Sequence, residues 1–432
     1  MRASPERNFR LFWLGYTLSM FGDFLVPAAL ALAVVRATGS AGALALVLGC
    51  AAVPRLLLLP LGGVLADRWQ PRRVALVADW VRAAVQLAVG LELVGGVFRL
   101  TDLAVAGVIS GAASAFALPT RSALIAATVP ATGRARANGL LGISTSAARV
   151  LGPGAAGALI LTIGPGWAFV LDAATFVVSA LALLAVRIAA LPAAARRPVH
   201  RDLVAGWSEL RRHDWLWTSL IGHAAWNLAS AVLLTLGPLI AVRQLGGEAV
   251  WVATLQAGAL GLLAGSLLAV RTGGTGRFRL RIARPVLAAN LALSLYALPL
   301  ALLAAAAPAP ALLVGYALAL AGLGFLNPVW DTAVQQHIPA DRLSRVSSYD
   351  MLLSFGAMPL GYAVAAPTAA AFGNAVPLLL AAVLVLVCTA GTAAVPGVRR
   401  LGAAPAPAPA TGEPGSAAAT AGPEPAETAA AR

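Results

Sequence analysis

Residues 62–76 read GGVLADRWQPRRVAL. One acid and three arginines, Asp67, Arg68, Arg72 and Arg73, stand within seven residues, between two long apolar runs. Charge is scarce elsewhere. Of 432 residues, 59% are hydrophobic and 11% charged, and the mean hydropathy is +0.83. A soluble domain carries about 25% charge. A chain this apolar has too few polar groups to cover a surface facing water, so it needs lipid around it. A bilayer core of about 30 Å takes roughly 20 apolar residues per helix. Backbone polar groups in lipid must be satisfied internally, which leaves helices or a closed barrel. The apolar runs here are long and lack period-2 alternation, so they read as helices.

Working outward from that stretch, apolar runs fall near 11–35, 42–66, 74–98, 102–128, 139–163 and 166–190. A basic, polar stretch follows at 191–213. Six more runs come near 215–242, 249–270, 285–307, 309–334, 346–371 and 374–397. The expected architecture is therefore an all-α membrane protein with twelve transmembrane helices in two six-helix halves. Residues 1–190 form the first half, 191–213 a central loop, 214–397 the second half and 398–432 a tail. The tail is Ala/Pro/Gly-rich with almost no bulky apolar group, and is expected to be disordered. The first apolar run is too long for a signal-peptide core and more spans follow it, so it reads as the first span.

The net charge is +14, and no lysine contributes to it. A basic balance can signal nucleic acid. The arginines argue otherwise, because they collect in alternate loops: at the N-terminus, in loop 2–3, at Arg134 and Arg136, in the central loop, between Arg271 and Arg284, at Arg342 and Arg345, and at Arg399 and Arg400. The other loops hold little beyond Arg36, Arg99 and the Arg243/Glu248 pair. Excess Arg marks cytoplasmic loops. Both termini are thus expected in the cytoplasm, in a multi-pass protein of the plasma (inner) membrane. Cys50 and Cys388 lie far apart in apolar runs, and the four histidines are scattered, so neither a disulfide framework nor a metal cluster is expected.

The chain also echoes itself. PTRSALIAATVPATGRAR from Pro119 and PVWDTAVQQHIPADRLSR from Pro328 each repeat a proline after eleven residues, at Pro130 and Pro339, before a basic loop. Each then enters a span with a proline, Pro153 and Pro359. The spacing of half the folded chain fits parallel repeats.

Twelve spans, a long central loop and this loop 2–3 resemble the major facilitator superfamily. That family's loop pattern reads roughly G-x-L-A-D-R-x-G-R-R. Gly63, Leu65, Ala66, Asp67, Arg68 and Arg72 fit it, while Gln70 and Pro71 depart from it. A second family pattern, G-x8-G-x3-G-P-x2-G-G in span 5, marks exporter branches. Gly139, Gly152, Pro153 and Gly157 fit; Ala148 and Ala156 replace glycines. RSALIAATVP, ANGLLG, ARVLGP and WAFVLDAATF resemble the enterobactin-exporter and macrolide-efflux-like branch. The resemblance implies that Asp67 meets the start of span 11, near Ser347–Asp350, as an inner gate. A carboxylate suits the positive end of a helix. Arg72 and Arg73 have a plainer alternative, as topology signals alone.

Charges inside spans are costly and are functional candidates. Asp23 falls near midplane in span 1 and is expected to bind a proton or a cationic group of the substrate; the plainer alternative is a neutral acid bonded to a neighbouring helix. Arg149 in span 5 and Arg55 in span 2 lie at similar depth, as counter-charges for Asp23 or as sites for an anion. Asp79 and Arg82, three apart in span 3, read as a structural pair. Asp331 and Asp350 read as gate partners for loop arginines, and Asp172 as structural. Trp226, Asn227, Gln256 and Trp330 are candidate cavity-wall residues, and His223 a packing residue.

The expected activity is secondary active transport: proton-coupled efflux of a small amphipathic compound by a monomer, with no cofactor, no nucleic acid and no enzymatic reaction. The alternatives are an importer or uncoupled facilitator, and, from other classes, a membrane scaffold or sensor, or an enzyme acting on lipid. No paired-acid, nucleophile, HExxH or phosphate-loop pattern supports the last.

Overall fold

The computed structural model describes residues 5–68, 70–130, 133–186, 207–273, 282–339 and 342–401. The expected disordered tail from 402 and most of the central loop lie outside the described residues. Among those described, everything regular is helical. The N-terminal run of helices is α1 (Pro5–Thr38), α2 (Ala41–Arg68), α3 (Pro71–Val94), α4 (Leu100–Ala117), α5 (Thr120–Thr128), α6 (Arg134–Thr162) and α7 (Gly166–Ala185). After a helical turn over 207–212 come α8 (Asp214–Gln244), α9 (Glu248–Gly273), α10 (Pro285–Leu293), α11 (Ala297–Ala304) and α12 (Ala309–His337). The chain closes with α13 (Leu343–Gly356), α14 (Met358–Phe372), α15 (Ala375–Gly391) and the short α16 (Pro396–Arg400). A 3-10 turn joins α10 to α11, so the two make one span, Pro285–Ala304.

Among the described residues, eleven segments are long and apolar enough to cross a membrane. The twelfth of the expected set is α6. Its 29 residues rise about 44 Å, but Ser144, Thr145, Ser146 and Arg149 make it more polar than the rest. That polarity has a use: Trp13 Nε1 and Thr17 Oγ1 of α1 donate to Ser144 Oγ at 2.9 and 2.8 Å, and Tyr16 shares a hydrogen bond with Thr145 at 3.0 Å.

Both members of the internal repeat stop a helix in the same way. α5 and α12 end just before Val129-Pro130 and Ile338-Pro339, because a residue ahead of proline disfavours helical geometry. They treat their first prolines differently. The helix breaks at Pro119, which caps α5, but α12 runs on through Pro328. The break in the second half comes instead at Ala357, ahead of Pro359, while α6 runs through Pro153.

Packing follows the same plan in each run of spans. α2 lies along α4 as α9 lies along α12, α1 packs on α6 and α7 as α8 packs on α13, α14 and α15, and α3 sits against α4 and α7 as α10 and α11 sit against α12 and α15. Across the middle, α6 meets α9 and α2 meets α14. The apolar core divides in three. One cluster, including Leu25, Leu32, Phe169, Leu233 and Trp251, draws on both halves, and most of it lies toward the end where α1 runs into α2. At the end where α1 begins, each half has its own: Phe12, Leu124, Leu141 and Leu183 in the first, Trp215, Phe325, Trp330 and Val346 in the second.

At that same end Glu209 gathers two arginines and a histidine. Arg342 donates to it, and Arg212 and His213 approach it at 3.4 Å. The Glu209 side chain is only 5% exposed. Burial pushes its pKa up, but the hydrogen bonds from Arg342 and His213 and the attraction of Arg342 and Arg212 outweigh that, and the net effect holds it below the ordinary glutamate value. A carboxyl whose pKa is lowered by folding adds stability above its unfolded pKa, and that stability is lost as pH falls through the folded value. Glu209→Gln is therefore expected to melt below the wild type at neutral pH. The gap should close in acid, read by thermal unfolding of the purified protein across a pH series.

Candidate functional site

The first half carries a buried polar seam between α3 and α7. Asp79, Arg82 and Gln86 recur at helical spacing and share one face of α3. α7 runs the other way and presents Ser179, Phe176 and Asp172. The two sets meet rung by rung. Ser179 Oγ donates to Asp79 Oδ2 at 2.7 Å, the Arg82 guanidinium lies 3.9 Å from the centre of the Phe176 ring, and Gln86 Nε2 donates to Asp172 Oδ2 at 2.7 Å.

α1 closes over this seam. Arg82 Nη2 forms an ion pair with Asp23 Oδ1, with side chains 12% and 27% exposed. Asp23 is thus the most exposed member of a largely buried set. Gly22 beside it is required: a Cβ there would fall 2.1 Å from Asp172 Oδ1 and 2.5 Å from Thr175 Oγ1. The counter-charge of Asp23 is therefore Arg82, not Arg149 or Arg55 as the sequence suggested. Asp79 correspondingly pairs with Ser179 rather than with Arg82. The face of α3 that turns inward, toward Asp23, was not visible in the sequence.

The other two arginines stay close. Arg149 of α6 lies over the ring of Phe24, 5.5 Å from its centre, with no carboxylate at ion-pair distance among the described residues. Arg55 of α2 is exposed and near enough to Asp23 and Arg82 to feel both charges. So α1, α2, α3 and α6 bring Asp23, Arg55, Arg82 and Arg149 to one region at mid-helix depth.

The second half contributes aromatic rather than ionic groups. Trp330 of α12 is 6% exposed and donates Nε1 to Asp350 Oδ2 at 2.6 Å. Its ring stands 4.7 Å from His223 and 5.5 Å from Trp215. Trp226 packs 4.7 Å from Tyr296, with its Nε1 buried and unpartnered. Asn227 is 7% exposed and turns back to its own helix, donating to His223 O at 3.0 Å. Trp330 and Asn227 are thus interior to this half rather than free walls of a cavity. Asp350 accepts from Trp330 and, at 3.0 Å, from Ser354; no loop arginine pairs with it among the described contacts.

Gln256 crosses between the halves, donating Nε2 to Val150 O of α6 at 2.9 Å. It heads a set of contacts running to the end where α1 meets α2. Arg36 donates through two nitrogens to the two oxygens of Glu248 and through Nη2 to Ile160 O at 3.3 Å. Arg243 donates to Gly39 O at 2.7 Å. The expected Arg243/Glu248 pair is therefore split, each member reaching the opposite half instead. These contacts and the shared apolar cluster close the two halves together at this end.

The loop and span 5 motifs resolve unevenly. Gly63 lies in the last part of α2, but the side chains of Asp67 and Arg68 lie outside what is described, and with them the expected meeting with Ser347–Asp350. Arg72 caps the end of α7, donating Nε and Nη2 to Leu183 O and Leu184 O at 2.7 Å each. A guanidinium there satisfies orphan carbonyls and opposes the helix dipole. Arg73 is exposed. In α6, a Cβ on Gly152 would meet Phe24 Cβ at 2.6 Å, and one on Gly157 would meet Val252 at 2.1 Å. Gly139 has open space around it, and Pro153 is carried inside the helix. Gly152 therefore lets α6 approach α1 next to Asp23, and Gly157 lets it approach α9 of the other half.

Sequence reasoning missed Glu209 altogether, although its spacing to Arg212 and His213 is helical. It also set Asp172 aside, although Asp172, Thr175, Phe176 and Ser179 mirror the spacing of Asp79, Arg82 and Gln86.

Comparison with known proteins fits this geometry. The family model described as Major Facilitator Superfamily matches residues 12–362. The multidrug efflux pump Tap of Mycobacterium tuberculosis is 28% identical over 425 residues, covering 94% of this chain and 97% of that protein. An uncharacterised MFS-type transporter of Bacillus subtilis, YkuC, is 31% identical over 146 residues, covering 34% of this chain and 33% of its own. Among solved structures, a bacterial homologue of the human lysosomal transporter Spinster superposes with a TM-score of 0.69 at 15% identity, covering 93% of this chain and 98% of that one. A POT family transporter gives 0.71 at 12% identity, covering 89% and 94%.

Proposed function

The chain belongs to the Major Facilitator Superfamily and is a multi-pass membrane transporter, not an enzyme; on that premise we propose that it exports small amphipathic compounds in exchange for protons. The Asp23–Arg82 ion pair carries this reading: a carboxylate held by a buried guanidinium at mid-helix depth, yet 27% exposed. Asp23 is where a cationic group or a proton would displace Arg82. The similarity to a multidrug efflux pump along nearly the whole chain supports export.

The transport cycle is rocking of two six-helix halves, 1–190 and 214–397, around this region. Arg36–Glu248, Arg243–Gly39 O and Gln256–Val150 O would part when the end they close opens. The protein works as a monomer in the plasma membrane, with both termini cytoplasmic, as the arginine distribution favours.

The test uses everted membrane vesicles with an imposed pH gradient and a panel of fluorescent amphipathic cations. Wild type is expected to accumulate at least one of them when the gradient is applied, and Asp23→Asn to lose that accumulation. Proton-driven accumulation kept in Asp23→Asn would remove Asp23 from coupling. Transport indifferent to the gradient would favour an uncoupled facilitator.

A further inference from the structure

Beneath the Asp23–Arg82 pair the charges do not balance. Three carboxyl groups, Asp23, Asp79 and Asp172, feel the one buried guanidinium of Arg82. Arg82 is committed to Asp23 and to the face of Phe176. Asp79 has the Ser179 hydroxyl. Asp172 is 0% exposed and its near donors are neutral: Gln86 Nε2 donates to Oδ2, and the Thr175 hydroxyl, which donates to the backbone carbonyl of Asp172, lies beside the carboxyl. Its other oxygen, Oδ1, is buried without a hydrogen-bond partner and lies against the backbone of Gly22. A carboxylate with one bare oxygen in a sealed, lipid-embedded bundle is a high-energy arrangement, because buried charge must be paired or neutralised. A proton on Oδ1 removes the charge at the atom that lacks a partner.

We propose that Asp172, not Asp23, is the residue that stores the transported proton, and that Arg82 is shared between the two acids. This rests on the proton-coupled reading above. While Arg82 holds Asp23, Asp172 is the neutral acid. When a substrate cation takes Asp23, Arg82 is released toward Asp172. Arg82 Nε is itself buried without a partner, and the guanidinium is already near enough to Asp172 for the two to attract. Asp172 then gives up its proton, the O–H electron pair staying on Oδ1, and the proton leaves by the more exposed Asp23 side. The reverse exchange reloads it. The charged groups facing Asp172 are Asp23 from α1 and Arg82 from α3, with Asp79 two rungs along α3. Arg149 of α6 faces Phe24 instead, and Arg55 of α2 reaches Asp23 and Arg82.

Infrared difference spectroscopy of the full-length protein in liposomes, titrated from alkaline to acid buffer, reads this directly and needs no substrate. The expected result is a carboxylic-acid C=O band present at neutral pH. Asp172→Asn should lose it at every pH and Asp79→Asn should keep it, while Asp23→Asn, which frees Arg82 for Asp172, should show it only in more acid buffer. Gln86→Leu should move it to higher frequency, since the carbonyl loses its donor. The band shift in Gln86→Leu keeps the assignment testable should Asp172→Asn fold poorly. A band that survives Asp172→Asn, is absent at every pH in Asp23→Asn or ignores Gln86→Leu overturns the proposal. In the vesicle assay Asp172→Asn should keep downhill flux of the probe cation but lose its response to the pH gradient; a response kept in full also overturns it. A band assigned to Asp172 alongside wild-type flux that ignores the gradient would support the proton site and sink the coupled-transport reading instead.

Discussion

Arg82→Leu is expected to be the most damaging single change in the first half. It should cost about 3–5 kcal/mol of stability, the usual penalty for leaving a buried charge without its partner. Arg82 is 12% exposed and faces Asp23, Asp172 and Asp79, so its loss strands a cluster of acids rather than one. The reciprocal change is milder. Asp23→Asn leaves Arg82 with Asp172 and Asp79 still in reach, so about 1–2 kcal/mol is expected, the scale of one charged hydrogen bond. That asymmetry is the diagnostic. A simple two-residue ion pair would lose similar amounts from either side. The double variant Asp23→Asn/Arg82→Leu should recover part of the Arg82→Leu loss, because one of the stranded charges is gone, but no proton-driven transport. Arg82→Lys should not substitute, since a point charge cannot lie flat on the Phe176 ring while reaching Asp23. Thermal unfolding in detergent gives the stability cycle, and the vesicle assay gives transport.

The sequence made the topology legible because topology is written in composition. Runs of apolar residues, alternation of arginines and paired prolines at 119/130 and 328/339 need no knowledge of how a helix is rotated. The candidate site was legible only in depth. Asp23, Arg55, Arg82 and Arg149 were all recognisable as charges inside spans, but which of them touch depends on the rotation of four helices. Packing sets that rotation, here the glycines of α1 against α7 and of α6 against α1. Near-uniform apolarity hides it further, since α1, α2 and α8 have no clear polar face to orient them. One signal was available. Asp79, Arg82 and Gln86 on one helix and Asp172, Thr175 and Ser179 on another are matching polar stripes on otherwise apolar helices. Lipid does not tolerate such stripes outward, so they must face each other or the cavity. Asp172 was set aside because its span seemed far from the cavity, when its burial is what makes it matter. The contacts of Trp330 and Gln256 were illegible for a different reason. Both found hydrogen-bond partners, Asp350 and Val150 O, at sequence separations that no periodicity reveals.

Gly265→Leu should do to the second half what Arg82→Leu does to the first, by sterics instead of charge. α9 and α12 touch backbone to backbone. A Cβ at Gly261 would lie 2.0 Å from Ala317 O, and one at Gly265 would lie 1.9 Å from Ala321 O. From the other side, a Cβ at Gly324 would lie 2.0 Å from Leu262 O. Ser266 Oγ fastens the contact, donating to Leu262 O at 2.9 Å and Gly324 O at 3.1 Å. The first half uses the same device with the roles exchanged: Gly111 of α4 would place a Cβ 2.2 Å from Ala51 O of α2. Lipid gives no hydrophobic drive for helices to associate, so close packing of small residues must supply it. A leucine at 265 cannot be absorbed by a rotamer change, because what it meets is main chain. The helices must separate, and the rest of their shared surface opens with them. A loss of about 3 kcal/mol or more is expected, at the upper end for overpacking, and Gly265→Ala should already be damaging. Gly139→Ala is the control. It lies in the span 5 motif but has open space around it. There the added methyl should be neutral or stabilise α6 by up to about 1 kcal/mol through helix propensity alone. Size-exclusion profiles and melting temperatures of the three variants decide it. Equal tolerance at 139 and 265 would mean that α9 and α12 are not held together by backbone contact.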